Sequence, residues 1–353
     1  MQSLEMTREE IDLVNDQRQE VAEIMSAAGD FDTPMLAVPG PCSPDLNRMP
    51  TGELAAVHHN QRLAVVGERA VSSHVVVRFV GEKPRTNVGY TGIIHEPGGA
   101  EAYLQGARQL HRAGVPFASE VMSDAGAVLM VPHLTMGWVG AREVNATGPR
   151  YAVRPTDRDR DNGVRPLPVW VKNDQDGGLD LTVNALRTIT SDKPQSRTRF
   201  GIHGLEEVVT HGNPHVGLIL RGQSQRPAGE TVDILVDEIG TARERLDNEF
   251  GKDAVPIMVD LSHDHAKYEG GGEEGQLAMA EALGNLLVVT SVSGWMAETY
   301  IHSGKQPADG KMPGLSLTDK CIGQDSAEQL IMDMDAARTS GRELLAIQGA
   351  VTV

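Results

Sequence analysis

Val216-Gly217-Leu218-Ile219-Leu220 runs straight into Arg221-Gly222, five apolar residues ending on a cation and a glycine. A run without polar alternation is what a strand buried on both faces requires, and such strands belong to parallel sheets covered by helices. The same form recurs on either side. Upstream lie Met35 to Val38, Val75 to Val80, Pro116 to Val121, Met136 to Ala141 and Pro168 to Val171; downstream lie Pro256 to Leu261 and Leu286 to Val292. Helical patterns fall between several of these eight candidate strands, at Ala100 to Ala113, Leu179 to Thr190, Glu230 to Phe250 and Gly275 to Leu283, with Ala327 to Arg338 after the last. Near-continuous apolar strands divided by amphipathic helices predict an α/β fold, a (β/α)8 TIM barrel, over residues 34–353. The capping box Thr7-Arg8-Glu9-Glu10 opens a helix that places Ile11, Val14, Val21 and Ile24 on one face and ends near Gly29, so residues 1–33 read as a short N-terminal helical extension.

Composition narrows the function classes. The chain has 353 residues, with 32 Lys plus Arg against 49 Asp plus Glu, a net charge of −17. That balance repels a polyanion and argues against nucleic-acid binding. Two cysteines cannot build a disulfide framework. The N-terminus lacks the basic start and apolar run of a signal peptide, and no apolar stretch approaches the roughly 20 residues that span a bilayer. A cytoplasmic protein with no membrane partner is expected.

Barrel active sites sit at the C-terminal ends of the strands. The candidate strand ends carry Cys42, then Arg78 with Lys83 and Arg85, Glu120, Arg142, Lys172, Arg221, Asp260 with His263, and Glu298 followed by Asp319. Six of these are cations in an acidic chain that has only eight Lys. Together and unpartnered they would repel one another, so a small ligand with several negative charges is the natural occupant. Cys42, His263, Glu298 and Asp319 form a mixed soft and hard donor set that Mn, Fe, Co or Zn would accept. They are scattered along the chain without a short ligand pair. Taken singly, Cys42 reads as a small buried residue and His263 as a core histidine.

Gly40-Pro41-Cys42-Ser43-Pro44, Glu82-Lys83-Pro84-Arg85-Thr86, Gly140-Ala141-Arg142, Val171-Lys172-Asn173, Ile219-Leu220-Arg221-Gly222, Asp260-Leu261-Ser262-His263, Met296-Ala297-Glu298 and Leu317-Thr318-Asp319-Lys320-Cys321 occur in that order. This collinear set, within about residues 35 to 340, resembles the type I 3-deoxy-D-arabino-heptulosonate 7-phosphate (DAHP) synthases. The resemblance implies a barrel that condenses phosphoenolpyruvate with erythrose 4-phosphate, a phosphorylated aldose, in the shikimate pathway to the aromatic amino acids. It implies a divalent metal, manganese first, on Cys42, His263, Glu298 and Asp319. Arg78, Lys83, Arg142, Lys172 and Arg221, with Glu120 beside them, become the phosphoenolpyruvate cradle, and Arg85 with Thr86 the grip on the aldehyde's phosphate. A homodimer or homotetramer is implied as well. Lys83, packed among cations that would lower its pKa, is the expected proton donor to the aldehyde oxygen, with Cys42 and His263 the other catalytic residues.

Two departures stand out. Asn173-Asp174-Gln175 occupies a place where the family has a small Gly-Thr pair before Asp176-Gly177, and Glu143 to Pro168 lacks a clear counterpart of a phosphate-holding Ser. Either an Arg from Arg150 to Arg165 folds over the barrel mouth to replace that Ser, or the stretch is a solvated loop. The alternatives to the housekeeping enzyme are a specialised paralogue using another aldehyde and a non-catalytic sugar-phosphate-binding relative. Gly270-Gly271-Gly272 reads as a flexible connection, and His265 as a neighbour of the metal or an exposed residue.

Overall fold

The computed structural model describes residues 6–83, 89–141, 144, 153–201, 204–287, 290 and 292–351. Its strands are β1 Met35–Gly40, β2 Ser73–Val75, β3 Val77–Arg78, β4 Phe117–Glu120, β5 Met136–Gly140, β6 Val169–Lys172, β7 Gln195–Gly201, β8 Gly204–Thr210, β9 Val216–Leu220, β10 Ile257–Asp260 and β11 Val292–Glu298. All except β7 and β8 belong to one parallel sheet of order β2-β1-β11-β10-β9-β6-β5-β4-β3. The two ends of that order are halves of one segment. Val76 N donates to Ala37 O on β1, and Val77 N donates to Pro116 O just before β4, so consecutive amides reach opposite neighbours and close the ring.

Around the ring run α1 Arg8–Ser26, α2 Ala55–Gly67, α3 Gly99–Arg112, α4 Asp124–Met130, α5 Asp157–Asp161, α6 Asp180–Thr190, α7 Thr231–Phe250, α8 His263–Tyr268, α9 Gly272–Leu286 and α10 Gln324–Val351. Strand side chains alternate between two cores. Leu36, Val38, Val76, Trp138, Trp170, Ile219, Met258 and Met296 fill the barrel, whereas Met35, Ala37, Val77, Val139, Val171, Leu218 and Val259 face the helices. Trp170 fits because its neighbour across the β6–β9 register is Gly217; a Cβ there would lie 2.4 Å from the indole.

The N-terminal helix starts where its capping box predicts: Thr7 Oγ1 accepts from Glu10 N, and Glu10 Oε2 accepts from Thr7 N. It is more than an extension. Val21, Ile24 and Met25 join the barrel-interior core, while Arg18 donates to the carbonyls of Leu134, Arg165 and Val131, all upstream of strands. The helix therefore stoppers the end of the barrel opposite the strand C-termini.

Three expectations change. The apolar run Leu286 to Val292 is not one strand: α9 extends to Leu286 and β11 begins at Val292, while residues 288, 289 and 291 lie outside the described residues. Helix α2 and the antiparallel β7–β8 hairpin went unread, the hairpin because its residues are largely polar. Of the stretch Arg150 to Arg165, residues 150–152 lie outside the described residues, and 153–165 does not cover the mouth. Buried Arg154 donates to the carbonyls of Thr188, Ile189 and Lys193 at the C-terminal end of α6, and Gly163 and Arg165 are bonded to Asn15 of α1 at the stoppered end. Among the described residues, no helix is long and apolar enough to cross a membrane.

Candidate active site

Five strands end on an ionisable residue: Arg78, Glu120, Lys172, Asp260 and Glu298 are the last residues of β3, β4, β6, β10 and β11. Their parallel alignment brings them to one mouth. Lys83 lies just past β3, Arg221 just past β9, and Cys42 just past β1, where Gly40 (φ 143°) is needed because a Cβ would sit 2.7 Å from Arg78 N. Arg85, Thr86 and Arg142 lie outside the described residues.

Glu298 is the centre of one half of the site. Its Oε1 accepts from Arg78 Nη2 and Lys83 Nζ, each at 3.2 Å, and His263 Nε2 lies 3.8 Å away. Lys83 Nζ also lies 3.7 Å from Asp319 Oδ2. Cys42 Sγ donates to that same Asp319 oxygen at 3.2 Å and accepts from Thr318 Oγ1 at 3.2 Å. Donor atoms of Cys42, Glu298 and Asp319 lie within 4.8 Å of one another, a spacing that one metal ion could bridge. Three of the four expected ligands thus converge. His263 touches Glu298 but falls outside that mutual radius.

Asp260 is the centre of the other half. Fully buried, it accepts from Lys172 Nζ at 2.9 Å and from Ser262 N at 3.0 Å. His263 Nδ1 lies 2.8 Å from its Oδ2 without the alignment of a hydrogen bond. His263 holds a left-handed backbone (φ 51°), which swings its ring back toward Asp260 and Glu298 at the start of α8. Arg221 Nη2 lies 3.1 Å from Asp264 Oδ2, and its backbone N donates to Asn173 Oδ1 at 2.9 Å. Beneath both halves lies Trp138, its ring centroid 5.4 Å from Arg78 Cζ and 5.8 Å from Lys172 Nζ. A π face attracts cations without neutralising them, leaving their charge for an anionic ligand.

The electrostatics follow. Burial alone would raise Glu298, but Lys83, His263 and Arg78 hold it well below the usual carboxylate range. Burial likewise opposes, and His263 with Lys172 enforces, the depression of Asp260. Glu120 is also lowered against burial by Lys172 and Lys83. Burial and the neighbouring Glu298 push the Cys42 thiol well up. Lys83 departs from expectation. Burial would lower its pKa, but Cys42, Glu298, Asp319 and Glu120 outweigh burial and raise it, so a thiol and three carboxylates surround it rather than the cations the strand-end positions suggested.

Sequence reasoning gave no role to Asp260, although it stands at a strand end in a motif already noted. Trp138 carried no signal separating it from core. His265 is neither exposed nor idle: fully buried, it bonds Asp260 O and Glu238 Oε2, each at 2.7 Å. A separate cavity of about 430 Å³, lined by Arg62, Glu273, His302 and Asp325 among others, shares no residue with the site.

Comparison with known proteins converges on one group. The sequence pattern of the DAHP synthetase I family matches residues 16–331. A putative phospho-2-dehydro-3-deoxyheptonate aldolase of Schizosaccharomyces pombe is 28% identical over 352 residues, covering 95% of this chain and 88% of that protein. The Tyr-sensitive phospho-2-dehydro-3-deoxyheptonate aldolase of Salmonella typhimurium is 29% identical over 325 residues, covering 86% and 82%. The Trp-sensitive aldolase of Escherichia coli is 28% identical over 346 residues, covering 92% and 89%. The structure of the phospho-2-dehydro-3-deoxyheptonate aldolase from Francisella tularensis superposes with a TM-score of 0.77 at 22% identity, over 95% of this chain and 94% of that one, a likeness of fold. With a family match over residues 16–331, most of its length, the chain belongs to the DAHP synthetase I family.

Proposed function

We propose that this chain condenses phosphoenolpyruvate and erythrose 4-phosphate, with one water, into DAHP and inorganic phosphate. The observation that carries the proposal is the meeting, at one mouth, of Arg78, Lys83 and Lys172 with the Cys42, Glu298 and Asp319 cluster. A thiol with two carboxylates and an adjacent imidazole suits a borderline transition ion better than magnesium or calcium. Cys42, Glu298 and Asp319 would hold it, with His263 as a further ligand; iron, cobalt or zinc suits the thiol and imidazole, and manganese, the first choice, rests on the family resemblance and the two carboxylates. When bound, the ion supplies Lewis-acid stabilisation of an oxygen that gains negative charge.

The chain's own groups do the rest. Arg78, Lys172 and Arg221 bind the carboxylate and phosphate of phosphoenolpyruvate, the two arginines through bidentate forks and Lys172 as a point charge. Each has an anionic neighbour in the free protein, so the substrate enters a site whose cations are held in place by Glu298, Asp260 and Asp264. C3 of phosphoenolpyruvate attacks the aldehyde carbon; water adds at C2; the bond from C2 to the phosphate oxygen then breaks and phosphate leaves. Lys83 serves as a fixed ammonium beside the developing alkoxide, a role its anionic surroundings favour over ready proton release. Arg142 would complete the phosphoenolpyruvate cradle, and Arg85 and Thr86 the phosphate grip.

Phosphate release measured with phosphoenolpyruvate and a panel of aldoses tests this. Turnover with erythrose 4-phosphate is expected. Turnover only with another aldehyde would transfer the chain to the specialised paralogue, and no release with any aldehyde despite tight substrate binding would make it a binding protein.

A further inference from the structure

Strand β11 outruns its neighbour. β10 ends at Asp260, paired with Met296, and Leu261 N donates to Met296 O; two residues later, Glu298 has lost strand cover on that edge. A side chain takes over. Gln276, in the second turn of α9 and 1% exposed, accepts at Oε1 from Glu298 N (2.9 Å) and donates from Nε2 to Glu298 O (3.2 Å). Its amide thus replaces the backbone amide of a missing strand residue.

The same side chain reaches two more segments. Oε1 accepts from Ser262 Oγ at 2.8 Å, next to His263, and Nε2 donates to Lys320 O at 3.3 Å, next to Asp319. Ser262 Oγ in turn accepts from Glu298 N at 3.0 Å. Gln276 therefore ties together the three chain segments that carry His263, Glu298 and Asp319, which are far apart in sequence. Its reach depends on the preceding residue: at Gly275 a Cβ would lie 2.2 Å from Ala266 O, so only glycine lets α9 approach α8 this closely. Among the described residues, both polar atoms of this buried amide are used, and each has two partners.

We propose that Gln276 is a positioning residue for the metal site: its amide sets the separation of the Glu298 and Asp319 carboxylates and the placement of His263. The inference rests on the metal-binding proposal above. Gln276 touches neither substrate nor ion, and acts only through the backbone and Ser262. Partners in the layer behind metal ligands commonly change metal affinity 10- to 100-fold when replaced.

The test uses the full chain and cobalt(II) as probe. In Gln276→Glu the acceptor is kept but the two donated bonds are lost; Gln276→Met removes all four and keeps the volume. Cobalt affinity is measured by chelator competition, alongside the visible absorption of the cobalt protein and the unfolding midpoint of the metal-free protein. We expect each variant that folds to bind cobalt at least ten-fold more weakly and with shifted cobalt bands; the metal-free midpoint of Gln276→Glu should fall, because its carboxylate is buried against the Glu298 and Lys320 carbonyls. A ten-fold loss with an unchanged spectrum would also support positioning. Affinity within two-fold of the parent and an unchanged spectrum in either folded variant would overturn the inference while leaving the metal proposal standing. If the parent binds no cobalt, or if Cys42→Ser binds it as well as the parent, the metal proposal falls and the inference with it.

Discussion

Replacing Asp260 by Asn leaves Lys172 as a buried cation without its carboxylate, 5% of its side chain exposed and 2.9 Å from the lost charge. Breaking a buried pair from one side costs about 3 to 5 kcal/mol, because the surviving charge keeps its desolvation penalty. An unfolding entropy of roughly 2.1 cal/mol/K per residue gives about 0.74 kcal/mol/K for 353 residues, so Tm should drop by about 4 to 7 °C. Lys172→Met alone should also destabilise, since Asp260 then keeps only Ser262 N and the His263 ring. The double variant removes both charges and fills the stem's volume with an apolar chain over Trp138. It should recover at least about 2 °C relative to the sum of the two single losses. Calorimetry of the four proteins in chelator measures this. A Tm loss under 1 °C for Asp260→Asn, or strict additivity in the double variant, would refute the view that these two groups are an obligate buried pair.

Gly217→Ala should cost about 1 to 3 kcal/mol by overpacking against Trp170, and Trp170→Leu in the same chain should return part of it; denaturant unfolding reads both. His111 and His133, packed with tilted rings whose centroids lie 5.6 Å apart, have pKa values lowered to about 4 and about 3, chiefly by burial. Both lie below the ordinary value of about 6.5, so the unfolded chain binds more protons in between: stability is complete above pH 6.5 and falls as pH drops toward 4. The slope approaches about 1.4 kcal/mol per pH unit for each imidazole, and His133→Phe should flatten unfolding curves recorded between pH 7 and 5. Arg221→Ala and Lys172→Ala should each weaken phosphoenolpyruvate binding at least about ten-fold by calorimetry, the worth of a charge-assisted hydrogen bond; unchanged affinity removes that residue from the cradle.

The parts of the site that a sequence reveals are those the barrel places by rule. Arg78, Glu120, Lys172 and Glu298 are legible because a strand's last residue must face the mouth, whatever the helices do. Cys42, Asp319 and His263 also stand at or beyond strand ends, but ligands from separate strand ends leave no spacing pattern, so their reading as one metal set leans on the family resemblance. Gln276 and Trp138 remained hidden for a different reason. A glutamine on a helix and an aromatic in an apolar strand look like surface and core, and their roles depend on contacts with segments distant in sequence. The sign of the Lys83 shift is hidden on the same account: cations and acids are both visible at strand ends, but which of them lie against Lys83 depends on contacts between segments distant in sequence.

The stopper helix has a consequence for how the chain is made. Val21, Ile24 and Met25 leave the ribosome long before β11, yet the cavity they fill is walled in part by Met296 on β11. Between the end of α1 at Ser26 and the end of β11 at Glu298, 298 − 26 = 272 residues must be synthesised. At about 5 to 20 residues per second that is roughly 14 to 54 s. For all that time the apolar face has no permanent home, so a nascent chain halted before β11 presents a sticky amphipathic helix upstream of an unfinished barrel. Arrest short of residue 292 should leave a chaperone client, whereas synthesis past residue 298 lets a segment translated early become one of the last to dock.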